Sequence, residues 1–495
     1  MTSKSIILKS VFILGVTSLF LSACDQKKEE KPTTEAKLET YNDLALATSS
    51  IPCDCESNWF PHSQTPGPEE GIGSPFDTTS TTNCMFQQWS FQKFLWLTKP
   101  GANKKPLFLD SLKQVTNQMQ DVTIPSGTSV ALSSINQAGL DAVLQTIPGY
   151  SADGTTTDTV YYSIHINATL ETAITKYVDS IKKGTLSRNN TATFPIGSLE
   201  TKVSWVPITA LPSKEIAESN YYTTMAAVTQ KDGSVVKEEV ALLGMHVVGV
   251  VINHPEFIWA TFEHNTLAPV FDVSTNTASS TENTLIFKEG TVTGVDGIRW
   301  PSGAAATPNQ AFGLFKYGVA VTGSGPDDYV ETSQPEPDNY NKIDSLNMCV
   351  SASLKSENDV WQNYQYDGAI WLNMDGLTTK EQADTLNALY RNIKDATPGS
   401  MARGSLASAN VTMETFTQTY QKTVDKITNA AYLINCFSCH RAAPDTGGDA
   451  IRSPLYLSHV FSGNVSLIVD EQTPKQIETE KLKTFMKQLK SQGNE

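Results

Sequence analysis

The spacing of hydrophobic and polar residues changes along the chain, and the changes mark its elements. Residues 84–99 crowd apolar side chains until Pro100-Gly101 stops them, which predicts a buried helix. Val160, Tyr162, Ile164 and Ile166 alternate, so a strand with one buried face is expected there. Residues 221–230 and 234–243 flank Lys231-Asp232-Gly233 as the arms of a hairpin. An apolar strand continues through Gly244-Met245-His246 to Ile252, and Phe257–His264 predicts the next strand. From about 377 the period becomes helical. Thr378 and Glu381 form a capping box ahead of Ala383, Leu386, Leu389, Tyr390 and Ile393. Phe416, Tyr420, Val424, Ile427 and Ala431 give a second stripe. Thr473-Pro474-x-Gln476 opens a third helix, with Ile477, Leu482, Phe485, Met486 and Leu489 on its apolar side.

The fold class is therefore α+β. Residues 56–376 make a β-rich body with an N-terminal helix, and residues 377–495 make a helical segment. The start of the chain is an address. Lys4 and Lys9 precede an apolar run from Val11 to Leu21, which ends at Leu21-Ser22-Ala23-Cys24. This predicts a lipoprotein signal peptide over 1–23, with lipid on Cys24 tethering the protein to a membrane it does not span. Residues 24–55 read as a flexible tether. Asp25 resembles an inner-membrane retention signal and Gln26–Glu30 a surface-export signal, so the membrane stays open.

Composition removes several classes. The 495 residues are 18% charged and 39% hydrophobic, too polar for a multi-span membrane protein and too apolar for disorder throughout. A net charge of −15 provides no basic field for nucleic acid.

One motif carries chemistry. Cys436-Phe437-Ser438-Cys439-His440 is C-x-x-C-H, the attachment signature of c-type haem. Two thiols three positions apart reach the two vinyl groups on one porphyrin edge, and the adjacent imidazole ligates the iron. By chance the pattern is expected about once in 700 chains of this composition. A thioredoxin-type pair wants a strand before it and a helix after; here a helical stripe precedes and a Gly/Pro-containing loop follows. A zinc site would need further ligands nearby. A single C-x-x-C-H implies one covalent haem c and a cytochrome c-like character for residues 377–495.

Four stretches carry a resemblance beyond this motif. They are Ala409-Asn-Val-Thr-Met413-Glu-Thr-Phe416, Gly197-x-x-Glu200-x-Lys202-x-x-Trp205, Gly244-Met245-His246, and Trp259-Ala-Thr-Phe-Glu263-His264. Together with the haem motif they resemble a group of large bacterial monohaem c-type cytochromes, from about Trp59 to the end of the chain. The resemblance implies haem and redox chemistry and no particular reaction.

His440 is the expected proximal ligand. The distal position has several candidates: His459, nineteen residues downstream; Met413; His264 or His246; or an open or water-bound site. Met486 reads as a packing residue. Two strong ligands would leave only electron transfer, whereas a vacant face permits peroxide, oxygen or nitrogen-oxide chemistry. The first expectation is a lipid-anchored cell-envelope cytochrome that passes single electrons. Its acidic surface suits a redox partner with a basic docking face. The alternatives are a peroxidase- or oxidase-like enzyme whose β-rich body shapes a distal pocket, and a haem-containing binding or sensory protein. Cys53, Cys55, Cys84 and Cys349 remain. Outside the cytoplasm they suggest two disulfides, with Cys53 or Cys55 bonded to Cys84 and the other to Cys349.

Overall fold

The computed structural model describes residues 53–135, 158–230, 232–267, 339–388 and 451–481, with short pieces at 151–155, 271–272, 277–278, 402–404, 412–413 and 436–444 and single positions 144, 146, 410 and 483. The segment read as a signal peptide, Cys24, the 416–431 stripe and Met486 lie outside the described residues.

The elements that position the site are α1 (Asn83–Thr98), β1 (Lys113–Val115), β2 (Val130–Leu132), β3 (Tyr161–Ile166), α2 (Ala168–Lys182), β4 (Leu199–Pro207), β5 (Thr223–Thr229), β6 (Val235–Val251), β7 (His254–His264), α3 (Asn339–Ser356), β8 (Tyr364–Leu372), α4 (Thr379–Ala388), β9 (Ala402–Gly404), α5 (Cys436–Cys439) and α6 (His459–Ile468). The strands form one sheet in the order β1-β3-β4-β6-β7-β8-β9. β5 pairs with the first half of β6, and β2 runs parallel to β5. The hairpin expected around Asp232-Gly233 is the β5–β6 connection, and the apolar strand beyond it is the rest of β6.

Side chains alternate between the two faces of a strand. One face carries Val203, Trp205, Met245, Val247, Ala260, Phe262 and Tyr366 beneath α1 and α3. There Phe94 stacks on Phe262 with centroids 4.0 Å apart, and Phe86 stacks on Trp371 at 4.2 Å. The other face carries Ile164, Ile166, Val248, Val250, Trp259, Ile370 and Leu372. It is covered by α2 and by Phe437, Leu455, Leu457, Val460 and Phe461. With both faces covered, all six residues of β3 are buried rather than every second one. The polar positions on β3 are satisfied internally: Ser163 Oγ accepts from Trp205 Nε1 at 2.9 Å and bonds the His165 ring at 3.0 Å. Burial pushes His165 down to about 3, so it is neutral.

Described residues on the two sides of position 377 pack together. Pro52–Glu495 is one compact unit. β9 completes the sheet beside β8, and residues 455–465 belong to the sheet's own core. The capping box expected at Thr378 forms, and the structure shows a second one where the third helix was expected to open. Thr378 and Glu381 bond reciprocally at 2.8 and 3.3 Å ahead of α4, and Thr473 and Gln476 do so at 2.8 and 3.3 Å ahead of a helix over 474–481. No helix among the described residues is long and apolar enough to cross a membrane.

The structure selects one of the disulfide pairings left open. Cys53 joins Cys84 on α1, and Cys55 joins Cys349 on α3, with Cα separations of 5.5 and 5.9 Å. Both lie on the α1/α3 side, on the sheet face opposite the C-x-x-C-H turn, and fasten the N-terminal segment to that layer. The Cys55–Cys349 bridge spans 294 residues, so its loss should cost about 2–5 kcal/mol. A Cys55→Ser/Cys349→Ser variant is expected to unfold at lower denaturant concentration than the parent protein under non-reducing conditions, and equal midpoints would contradict the pairing.

Candidate functional site

The C-x-x-C-H residues form one helical turn. His440 N–H donates to the Cys436 carbonyl at 2.8 Å, which closes α5 and sets positions 436, 439 and 440 on one side of the turn. Phe437 is buried and Cys436 is half-buried, both in the cluster on this face of the sheet. Cys436 lies outside the two disulfide pairs.

His440 is held from three directions. Its Nδ1 lies 2.8 Å from the Leu457 carbonyl oxygen. A carbonyl only accepts, so Nδ1 carries the proton and the neutral ring's lone pair sits on Nε2. Metal-bound histidines usually show this arrangement. The Trp259 ring lies against the imidazole at 3.9 Å and the His459 ring at 3.9 Å. A half-buried thiol beside apolar side chains, and an imidazole whose Nδ1 is already engaged, fit a covalently attached haem.

The segment carrying Leu457 and His459 is anchored to the body. Asn190 and Arg452 bond through their backbones at 3.1 Å, and Ser453 Oγ bonds Asn190 Oδ1 at 2.8 Å. Arg188 forms an ion pair with Asp470 at 2.7 Å and donates to the Tyr456 hydroxyl at 3.2 Å. Ser458 Oγ then caps α6 by accepting from Phe461 N–H at 3.3 Å, which makes His459 the first residue of the helix.

A second group of polar residues lies on the same sheet face. Lys202, His246 and Thr261 are cross-strand neighbours on β4, β6 and β7. His246 Nδ1 and Thr261 Oγ1 are 3.0 Å apart. Ser204, Gly244 and Glu263 form the adjacent row. Gly244 leaves room for Asn410: a Cβ there would meet the Asn410 amide at 2.5 Å. Asn410 donates to the Phe262 carbonyl at 3.1 Å, and Thr412 reaches Ser204 Oγ at 2.6 Å. All four stretches that carry the resemblance thus contribute residues to this face. Asp367 joins them from a bulge in β8, and its Oδ2 is buried without a hydrogen bond. Burial and the Glu263 carboxylate push Asp367 well above the usual carboxylate range. Desolvation raises Glu200 to about 7 against the opposing pull of Lys202 and Lys481.

The distal-ligand candidates fall in different places. Met413 is buried in a turn with Asn410. His264 is a structural residue, stacked on Tyr221 at 3.7 Å and bonded to Thr266 and the Asn220 carbonyl. Burial lowers it to about 4. Its described partners do not include His246. His459 stacks beside His440. Among the described residues no group of three or more His, Cys, Asp or Glu side chains is placed to hold a metal ion.

Trp259 and Asp367 had no assigned role in the pattern. An Asp-Gly pair inside an alternating strand is the sequence mark of the Asp367 bulge. Trp259 opens one of the four stretches of the resemblance, but nothing in the pattern places it against His440.

No family model, curated protein or solved structure matches the chain.

Glu200 gives a pH test. Its folded pKa near 7 stands above its ordinary 4.5, so the folded state holds the extra proton between those values. Its contribution to stability is therefore full below about 4.5 and is lost as pH rises through about 7. Glu200→Gln should flatten this part of the denaturation profile, and an unchanged slope would contradict the assignment.

Proposed function

We propose that this chain is a lipid-anchored c-type cytochrome of the cell envelope, which carries one covalent haem and passes single electrons between redox partners. The observation that supports it best is Cys436-x-x-Cys439-His440 on a single turn, with His440 Nδ1 engaged by the Leu457 carbonyl. Cys436 and Cys439 would hold the porphyrin through thioether bonds, and His440 would ligate the iron. The bound haem supplies a one-electron couple. The chain itself contributes an apolar floor under the motif and a fixed imidazole orientation. Two disulfides suit an oxidising compartment, and the net charge of −15 suits a partner with a basic docking face.

The polar rows favour a second reading, a haem enzyme. Lys202, His246, Glu263 and Asp367 are acid–base groups on the face that also carries Trp259.

Spectra of the mature protein, oxidised and dithionite-reduced and then in alkaline pyridine, test the proposal. A c-type signal with bands unaffected by carbon monoxide is expected of a carrier. Carbon monoxide binding would favour the enzyme, and absence of covalent haem would overturn both. Cys24→Ser should move the protein from the membrane to the soluble fraction, and unchanged membrane association would remove the lipid anchor.

A further inference from the structure

We infer that Trp259 and His459 clamp His440 from its two faces, that Glu256 fixes Trp259 in place, and that His459 acts beside the iron ligand rather than across the iron from it. This rests on the haem reading.

The stacking geometry carries the argument. His440 and His459 have centroids 3.9 Å apart and planes inclined by 20°, so they lie face to face. Two imidazoles that grip one iron from opposite sides point their nitrogens at each other. With metal–nitrogen bonds of about 2 Å, that puts their ring centres on the order of 6 Å apart, tip to tip. A face-to-face pair at 3.9 Å is a packing arrangement. On the other side Trp259 lies at 3.9 Å with an inclination of 39°. Together with Leu457 at Nδ1, the two rings fix both the tilt and the rotation of the His440 imidazole.

Trp259 is itself held by a bulge. The β6–β7 register shifts between the Gly249–Ile258 and Val251–His254 pairs, and Phe257 adopts φ +67°, a left-handed conformation that side chains disfavour. The surrounding contacts over-determine it. Glu256, fully buried, accepts through Oε1 from Leu372 N–H on β8 at 3.1 Å and bonds His254 Nδ1 at 3.0 Å. Its backbone carbonyl accepts from Trp259 Nε1 at 3.1 Å. The bulge thus aims the indole, and β8 anchors the bulge. Trp259, His459 and Glu256 are positioning residues in this scheme.

The test uses the full-length haem protein. The readouts are haem content, spin state, carbon monoxide binding, midpoint potential and low-temperature electron paramagnetic resonance, which reports ligand-ring orientation. His459→Ala and Trp259→Leu are expected to keep the parent's haem content, spin state and carbon monoxide behaviour while shifting the potential and changing the resonance. His459→Phe and Trp259→Phe keep a flat ring and should restore both values. Glu256→Leu, which removes the Oε1 acceptor that ties the bulge to β8, should shift them in the direction of Trp259→Leu. If His459→Ala and His459→Phe both change spin state and bind carbon monoxide, His459 is the distal ligand and the inference fails. Parent-like potential and resonance in His459→Ala and Trp259→Leu would also overturn it. Absence of covalent haem from the parent protein would show in the first spectrum and would overturn the haem reading along with this inference.

Discussion

A β-sheet with apolar side chains on both faces must be covered on both faces, and this requirement organises the molecule. β6 and β7 sit at its centre and send alternate residues to opposite layers. Met245, Val247, Ala260 and Phe262 bury beneath α1 and α3. Val248, Val250 and Trp259 need a different cover, supplied by α2 and by chain from beyond residue 436. The C-terminal part is thus drawn onto the sheet because the sheet would otherwise expose a hydrophobic face.

This cover brings the chemistry with it. The turn at Cys436–Cys439 packs over Trp259, and the short segment before α6 brings the Leu457 carbonyl to His440. Further along the same face, side chains become polar. Lys202, His246, Thr261 and Glu263 lie there side by side, and Asn410 and Thr412 close over Gly244. A sheet of this size is more scaffold than a small electron carrier requires. It holds the C-x-x-C-H turn and an array of ionisable groups on one surface, the latter with their spacing fixed by strand register.

Much of this is legible in local pattern. The helix over 83–98, the β5–β6 hairpin, β7, the Thr378 capping box and the helix start at Thr473 follow from periodicity and turn chemistry, which are short-range properties. What alternation cannot reveal is coverage. The spacing of Val160–Ile166 predicts one buried face, but β3 is buried on both because Ser163 and His165 satisfy each other inside the second layer. How the chain beyond 377 joins the sheet is hidden for a related reason: β9 pairs with β8 across about thirty residues, and periodicity says nothing about such pairing. At the candidate site, the motif announces Cys436, Cys439 and His440. The position of His459 beside His440 depends on where α6 begins and on the bonds from Asn190 and Arg188, so counting residues along the chain leaves it open.

The central claim is that Cys436 and Cys439 hold a haem. It is tested most directly by mass spectrometry of the peptide spanning Cys436–His440, taken from the mature protein without reduction. The account predicts one haem mass added, with both sulfurs blocked to alkylation. Two alkylatable thiols, or a Cys436–Cys439 disulfide with no haem mass, would contradict it.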